Sequence, residues 1–356
     1  MKIDDKTSHN SPSLRFPEFT GEWEKCKIED ITDAVSSGKS KNHFSNGEYN
    51  LYGSTGIIGR TDKALYDGKL VLVARVGANA GFLQIINEPC GITDNTLILR
   101  PKGIDAFYLY YFLQHFNLNR LIFGSGQPLI TGGMLKKVKV SLGTISEQSK
   151  IVKFLSLLDE RIAVQSRLID RLQSLMKGIR HRIINEAKGK IVCLCEVSDI
   201  YQPQTISSAD LTETGYPVYG ANGIIGHYTS YNHEAEQVCI TCRGNTCGGV
   251  NYTKSKSWIT GNAMVVNVDR YQNIVSKRYL YHYLSNCDFN SIISGSGQPQ
   301  IVRAPLAKFK IILPTVMQQY KIAHCLDVIQ NKINVNSNIL NLLIRQKQYL
   351  LRKMFI

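Results

Sequence analysis

The sequence predicts a mixed α/β (α+β) fold made of two copies of one domain, with two long helices that pair as a coiled coil. Three observations carry this. A repeat runs through the chain, each copy holds short apolar runs between turn residues, and each copy closes on a long heptad pattern.

Taken in order, residues 1–20 form a polar segment, and MKIDDKTSHN has no apolar core, so no secretory signal is expected. A first domain is expected over residues 21–143 and a second over 189–314. YGSTGIIG at Tyr52–Gly59 returns as YGANGIIG at Tyr219–Gly226, 167 residues on, and GSGQP at Gly124–Pro128 returns at Gly295–Pro299, 171 on. A four-residue insertion in the second copy, between about Asn262 and Arg278, accounts for the change. Thr93 and Asn95 match Thr260 and Asn262, Tyr108-Leu109-Tyr110 matches Tyr279-Leu280-Tyr281, and Lys137–Val140 matches Lys308–Ile311. Leu70–Arg75, Thr96–Arg100, Gln237–Cys242 and Met264–Val268 read as buried strands, because they are apolar runs bounded by Gly, Asn and Asp. Short helices are expected around Phe107–Arg120 and Lys277–Asn290, then the GSGQP loop and a Lys-rich strand.

Long helices are expected over 144–188 and 315–356. Ile151, Leu155, Leu158, Ile162, Gln165, Ile169, Leu172, Met176, Ile179 and Ile183 alternate steps of four and three. Shifted by 171, the seam is Ile322, Leu326, Ile329, Ile333, Asn336, Leu340, Leu343, Lys347, Leu350 and Met354. A helix that only covers a globular core shows a wider, less regular stripe, so the spacing favours a two-helix coiled coil with Gln165 and Asn336 as its polar layer. At ~1.5 Å per residue the seam is about 48 Å long. Thr144 with Glu147, and Thr315 with Gln318, have capping-box spacing, and Gly189 suits a left-handed helix end.

Charge narrows the partner. Lys and Arg number 42 against 28 Asp and Glu, giving +14 and a pI near 9.3, which favours a polyanion and nucleic acid first. No stretch approaches the ~18 apolar residues of a membrane span. Nine scattered cysteines fit a reducing cytosol, so a cytoplasmic location is expected. Catalytic motifs are missing. No two prolines are adjacent, which rules out the N/D-P-P-Y/F motif of amino-methyltransferases, and Gly38-Lys39-Ser40 lacks the first glycine of a phosphate-binding loop. Cys239 and Cys242, with Cys247 nearby, have no second ligand pair and read as buried strand cysteines in preference to a zinc site. Glu186-Ala187-Lys188 reads as a solvated helix end. No cofactor and no metal are expected in this chain.

Three loops in each copy are candidates for DNA contact. The YGxxGIIG loop offers Tyr52, Ser54 and Thr55, and Tyr219 and Asn222; its glycines suit either a close backbone approach to phosphate or a tight turn. The turn after the central strand offers Arg75 and Asn79, matched to Arg243, Asn245 and Thr246 by setting Arg75 on Arg243. Arg suits guanine or phosphate and Asn suits adenine. GSGQP offers Ser125 and Gln127, and Ser296 and Gln298, and its identity in both copies favours a structural or phosphate-contacting role. Lys137, Lys139, Lys308 and Lys310 are phosphate-contact candidates or a solvated strand face.

The start LRFPEFTGEWE at Leu14–Glu24, the YGxxGIIG and GSGQP elements in both copies, and the long helices opening with EQ or QQ give the chain a family likeness. It resembles, over nearly its whole length, the specificity (S) subunits of type I restriction–modification systems. The resemblance implies two target-recognition domains held apart by an antiparallel coil and a non-enzymatic reader of a split, asymmetric site in double-stranded DNA, one half-site per domain. It implies assembly with two methyltransferase (modification) subunits, which use S-adenosylmethionine, and with restriction/translocase subunits, which use ATP. It carries over no base-reading residue. A stand-alone two-domain DNA-binding regulator or architectural protein is the alternative, and a coiled-coil adaptor indifferent to DNA is a third reading.

Overall fold

The computed structural model describes residues 10–41, 46–123, 128–221, 223–295 and 297–356. They form two compact units, one holding the described residues up to Ser166 together with Asn338–Ile356, the other Arg167–Ser337. The division passes through both long helices, so each unit contains part of each. The first copy supplies β1 (Glu24–Lys27), β2 (Thr32–Ser37), β3 (Tyr49–Gly53), β4 (Gly56–Thr61), β5 (Lys69–Ala74), β6 (Leu83–Asn87), β7 (Cys90–Ile92), β8 (Thr96–Pro101) and β9 (Lys139–Leu142), with α1 (Ala106–Phe116), α2 (Gly132–Lys136) and α3 (Ile145–Glu186). The second supplies β10 (Lys190–Cys193), β11 (Asp199–Tyr201), β12 (Tyr216–Gly220), β13 (Gly223–Tyr228), β14 (Val238–Thr241), β15 (Val250–Tyr252), β16 (Trp258–Ile259), β17 (Ala263–Asn267), β18 (Ile293–Ser294), β19 (Gln300–Ile301) and β20 (Lys310–Leu313). Its helices are α4 (Leu194–Val197), α5 (Lys277–Leu284), α6 (Arg303–Ala307) and α7 (Val316–Met354).

In the first unit a four-stranded sheet of order β2-β8-β5-β6 lies between α1 and a three-stranded sheet of order β4-β3-β7. The central strand is apolar without alternation because both its faces are covered. Val71 and Val73 join Leu97 and Leu99 under Tyr108, Leu109 and Phe112 of α1. Leu70 and Leu72 join Ile86, Cys90 and Ile92 on the other side. Fully burying an aliphatic side chain contributes about 1.5–3 kcal/mol, so an acid at Leu72 would remove the partition between the two layers. The second unit repeats the plan with β11-β17-β14-β15 and β13-β12-β16. Cys239 lies in β14 with no exposed surface, and burial pushes its thiol up to about 12; Cys242, just after the strand, is buried too. Among the described residues no group of three metal-binding side chains occurs.

Helix ends explain two departures from the sequence reading. Helix α1 stops at Phe116, short of Arg120, because Asn117 turns left-handed (φ 57) and the chain continues in a 3-10 turn over Leu118–Leu121. Gly189 is not a left-handed cap, since it is absent from the residues with positive φ. It is glycine because a Cβ there would stand 2.3 Å from the Leu313 carbonyl oxygen.

The two long helices start on one frame with different fillings. Thr315 and Gln318 form the full reciprocal box: Gln318 Oε1 accepts the Thr315 N–H at 3.3 Å, and Thr315 Oγ1 accepts the Gln318 N–H at 3.4 Å. In the first copy only half of the box forms, with Thr144 Oγ1 accepting the Glu147 N–H at 3.3 Å. The Glu147 carboxylate turns away to receive Arg15 Nε at 2.6 Å, Arg15 Nη2 at 2.7 Å and Trp23 Nε1 at 3.1 Å. The next residue is glutamine in both copies. Gln148 donates to the Gly143 carbonyl and Gln319 to the Pro314 carbonyl, each at 2.9 Å, tying the helix start to the strand before it. That common bond accounts for the repeated EQ and QQ.

Residues 10–20 pack on the first unit: Leu14 N donates to the Lys353 carbonyl at 2.8 Å, and Phe16 meets Phe154 edge-on. Along α3, Ile151, Leu155, Leu158, Ile169 and Met176 are buried and Ile162, Gln165, Leu172, Ile179 and Ile183 half-buried. Along α7, Leu326, Ile333, Leu343, Leu350 and Met354 are buried and Ile322, Ile329, Asn336, Leu340 and Lys347 half-buried. Within the first unit the start of α3 shares a core with the end of α7, as antiparallel helices require, and Lys347 pairs with Asp159 at 2.6 Å.

Candidate nucleic-acid interface

Backbone hydrogen bonds gather the loops of the first copy at one end of its four-stranded sheet. Arg75 N donates to the Asn95 carbonyl at 2.9 Å, Gly77 N to the Pro128 carbonyl at 3.0 Å, and Ile130 N to the Arg75 carbonyl at 2.9 Å. Ser54 Oγ donates to the same Asn95 carbonyl at 3.3 Å, and Gln84 Nε2 holds the carbonyls of Gly53 and Ser54 at 2.9 and 3.1 Å. The YGSTG turn, the Arg75–Asn79 turn, the Thr93–Asn95 turn and the exit of the GSGQP segment therefore converge. Thr55 and Asn79 are exposed on this cluster. Ser125 and Gln127 lie outside the described residues, as do Asn222 and Ser296.

The second copy builds the same cluster. Cys242 N donates to the Asn262 carbonyl, Gly244 N to the Pro299 carbonyl and Ile301 N to the Cys242 carbonyl, each at 3.0 Å. These bonds fix the correspondence between the copies and correct the sequence alignment. Arg75 stands where Cys242 stands, and Arg243 stands where Val76 stands. The isolated bridges Val76–Leu129 and Arg243–Gln300 say the same. The slip came from matching one arginine to another, and one residue along an extended chain reverses the side chain's direction. Arg75 is half-buried, with Nη1 donating to Ser37 Oγ at 3.3 Å and Nε buried without a hydrogen-bond partner among the described residues. Arg243, Asn245, Thr246 and Gln298 are exposed.

Other candidates fall elsewhere. Tyr219 is buried, and its hydroxyl accepts the Lys254 N–H at 3.1 Å, so it is a framework residue. Tyr52 donates to Glu88 Oε1 at 2.6 Å; burial and that carboxylate raise its pKa above the ordinary phenol value. The YGxxG segments are tight hairpin turns. Gly56 and Gly223 have φ of 132° and 85°, and a Cβ on Gly53 or Gly220 would meet Ile58 or Ile225 across the hairpin at 2.8 and 3.0 Å. Lys137, Lys139, Lys308 and Lys310 are exposed, but in the first copy the Lys-rich strand lies apart from the turns. Residue Ile28, beside the start of β2, donates to the Val138 carbonyl, whereas Ser37 ends β2. Five steps of ~3.3 Å put about 17 Å between those ends.

A basic cleft was missed as such. Lys39, Lys41 and Lys63 surround Ser40, Thr61 and Asp62 at the end of β4. The GKSK run at Gly38–Lys41 was its signal, read only as a broken nucleotide loop. Lysines grouped around an open cleft suit a phosphate backbone.

The family model for the type I restriction modification DNA specificity domain matches twice, over residues 20–174 and 187–345. The chain is 31% identical over 148 residues to the type I restriction enzyme EcoprrI specificity subunit of Escherichia coli, spanning 40% of this chain and 36% of that protein. It is 21% identical over 361 residues to a putative type I restriction enzyme specificity subunit of Haemophilus influenzae, covering 92% of each. Among solved structures, the S subunit of a type I restriction-modification system from M. genitalium superposes with a TM-score of 0.71 at 18% identity, covering 97% of this chain and 99% of that one. A chain from a structural study of type I R-M complex assembly superposes with a TM-score of 0.55 at 14% identity, covering 95% and 98%.

Proposed function

The chain belongs to the type I restriction modification DNA specificity family, and from that membership we propose that each of its two turn clusters reads one half of a split, asymmetric site in double-stranded DNA. The observation that carries the reading is the duplicated cluster itself: one backbone frame built twice, with different side chains at its tips. The chain is a specificity subunit, not an enzyme; chemistry belongs to the subunits it directs. Phosphate contacts come from the basic cleft of the first copy and from Arg243 in the second, and they position the chain without selecting sequence.

Methyltransferase and restriction subunits are the partners this reading requires. Each long helix supports a partner role with a second apolar stripe outside the seam: Leu157, Val164, Leu168 and Leu175 on α3, and Val335, Ile339 and Leu342 on α7, each at least 38% exposed. Exposed apolar side chains at heptad spacing fit the helices of another subunit. No described helix is long and apolar enough to cross a membrane, and all nine cysteines are free, which fits a cytoplasmic complex. Reconstitution with methyltransferase subunits tests the reading. The complex methylates a two-part motif, and the chain alone methylates nothing. Methyl transfer by the purified chain, or a complex without sequence preference, overturns it.

A further inference from the structure

Resting on that reading, we infer that the residue pair Ser37–Arg75 in the first copy and Gln202–Cys242 in the second determines the base recognised at one position of each half-site, and that the two pairs read opposite hydrogen-bonding characters.

The pairs occupy the same place. Arg75 and Cys242 coincide through the backbone bonds to Asn95 and Asn262 and through those from Ile130 and Ile301. Ser37 stands opposite Leu97 in the β2–β8 ladder. Gln202 follows Tyr201, which stands opposite Val265, so it falls beside Met264, the counterpart of Leu97. The side chains of each pair touch: Arg75 Nη1 donates to Ser37 Oγ at 3.3 Å, and Gln202 Nε2 to Cys242 Sγ at 3.7 Å. In one copy the long polar side chain rises from the central strand and the short one from its neighbour's partner strand; in the other the arrangement is exchanged. Framework positions around them keep their residues, among them Thr93 and Thr260, Asn95 and Asn262, and Gly77 and Gly244. Two domains that read different halves must differ where they read, and this pair differs between the copies, as does the adjacent Val76–Arg243 position, within a backbone frame that stays.

The chemistry of the two arms is opposite. A guanidinium only donates, and its fork matches the O6 and N7 acceptors of guanine in the major groove. Gln202 is exposed, but its amide nitrogen is committed to the Gly261 carbonyl and to Cys242 Sγ. A carbonyl can only accept, so the nitrogen must face Gly261, which leaves Oε1 as the atom this side chain offers. An acceptor selects a base with an exocyclic amino group in the major groove, N6 of adenine or N4 of cytosine.

The test uses the full chain assembled with its methyltransferase subunits, and the readout is the methylated motif from sequencing. Gln202→Lys replaces an acceptor by a donor. One position of the second half-site is expected to change from an amino-bearing base to guanine, a shift of at least ten-fold, with the first half unchanged. Gln202→Ala is expected to relax that position to near-equal use of bases. Grafting Ser37→Gln with Arg75→Cys is expected to alter one position of the first half only. Thermal unfolding at the wild-type temperature certifies each variant as folded; Gln202→Ala carries the test where Gln202→Lys fails to fold, and Gln202→Glu, which keeps an acceptor, is the control expected to retain an amino-bearing base. If folded Gln202→Lys or Gln202→Ala, and the folded graft at Ser37 and Arg75, leave the two-part motif unchanged, this assignment is overturned while the family function stands. If the wild-type complex yields no two-part motif, the function falls and the assignment with it.

Discussion

The two copies share their frame down to individual hydrogen bonds and differ at the groups held within it. Tyr108 and Tyr279 each anchor a short helix to the Lys-rich strand, donating to the carbonyls of Ser141 and Ile312 at 3.0 and 2.8 Å. Gln148 and Gln319 each tie a long helix to its strand. Against that constancy, Tyr111 of the first copy meets Ser156 and Asp159, whereas its counterpart His282 meets Asp327 at 2.8 Å, with Arg278 Nε also on Asp327 at 3.0 Å. Glu147 of the first copy is a buried anion, and Gln318 of the second is an exposed cap. Repetition within one chain thus separates scaffold from variable content: what both copies keep supports the fold, and what they change is free to serve a half-site or to tune stability.

The largest expected asymmetry concerns Glu147. Its side chain is fully buried and receives both Arg15 and Trp23, with Gly143 leaving room for it: a Cβ there would stand 2.4 Å from Oε2. Removing one partner of a buried ion pair costs about 3–5 kcal/mol. Glu147→Ala is therefore expected to lower the denaturant midpoint of the first unit and to raise amide exchange at Leu14–Trp23, with the second unit unaffected. Wild-type exchange at that segment would show that the Arg15 contact carries no stability.

The second asymmetry is in pH. Burial, ahead of the favourable Asp327 bond, pushes His282 down to about 4 from 6.5, and its Nδ1 is buried without a partner among the described residues. A lowered histidine is protonated more readily in the unfolded chain, so stability is present above about pH 6.5, falls as the pH drops and levels near 4. At ~1.36 kcal/mol per pH unit the fall is about 3 kcal/mol. Asp327, held below its ordinary value chiefly by Arg278 and His282 against its own burial, adds a loss only at still lower pH. The first unit has tyrosine at this place, and its burial-lowered His115 gives it a shallower slope. Denaturation monitored by hydrogen exchange at pH 7 and pH 4.5 compares the units, and His282→Gln is expected to flatten the second unit's response. Equal slopes in both units would remove His282 from the account.

Arg75 and Arg243 should behave differently in spite of their shared identity. Arg75→Ala is expected to relax one position in the first half-site by about 1–3 kcal/mol. Arg243→Ala is expected to weaken binding evenly across sequences and to lower the salt slope by about one contact. Titrations against matched and mismatched duplexes at two salt concentrations decide it; a motif change with Arg243→Ala would restore the equivalence that the backbone bonds deny.

Much of the scaffold was legible because it obeys a period. Leu70–Arg75 reads as a strand covered on both faces, and Ile151 to Ile183 reads as a seam, since burial on a regular element leaves a regular trace in sequence. The interface was less legible. Gln202 carries no motif, and its partner Cys242 lies 40 residues on, so only the strand register brings them together. Identity misled in setting Arg75 on Arg243, and Tyr219, offered for DNA contact with the rest of the YGxxGIIG loop, is buried. A recurrent motif marks shared structure: the YGxxG hairpin recurs, while the tyrosine hydroxyls differ, Tyr52 donating to Glu88 and Tyr219 accepting the Lys254 N–H.

The smallest expected effect lies at the start of α7 and sharpens the contrast with Glu147. Thr315 and Gln318 satisfy each other's backbone N–H groups at a helix end where those groups have no helical acceptor. Both residues are exposed, so water can replace the lost bond in a variant, and no buried charge is left behind. Losing a cap costs about 1 kcal/mol, against the several expected for Glu147. Gln318→Ala is therefore expected to lower the second unit's stability by about that amount and to increase amide exchange at Thr315, whose N–H loses its acceptor, without opening the core, because Gln319 still holds the Pro314 and Ile274 carbonyls. Gln318→Glu tests whether the first copy's residue brings the first copy's stability with it. The second copy has Pro314 where the first has Gly143, so the glutamate is expected to remain a cap and contribute no more than glutamine does. A gain approaching the cost of Glu147→Ala would show that the acid by itself, and not the Arg15–Trp23 pocket built around it, strengthens the first helix start.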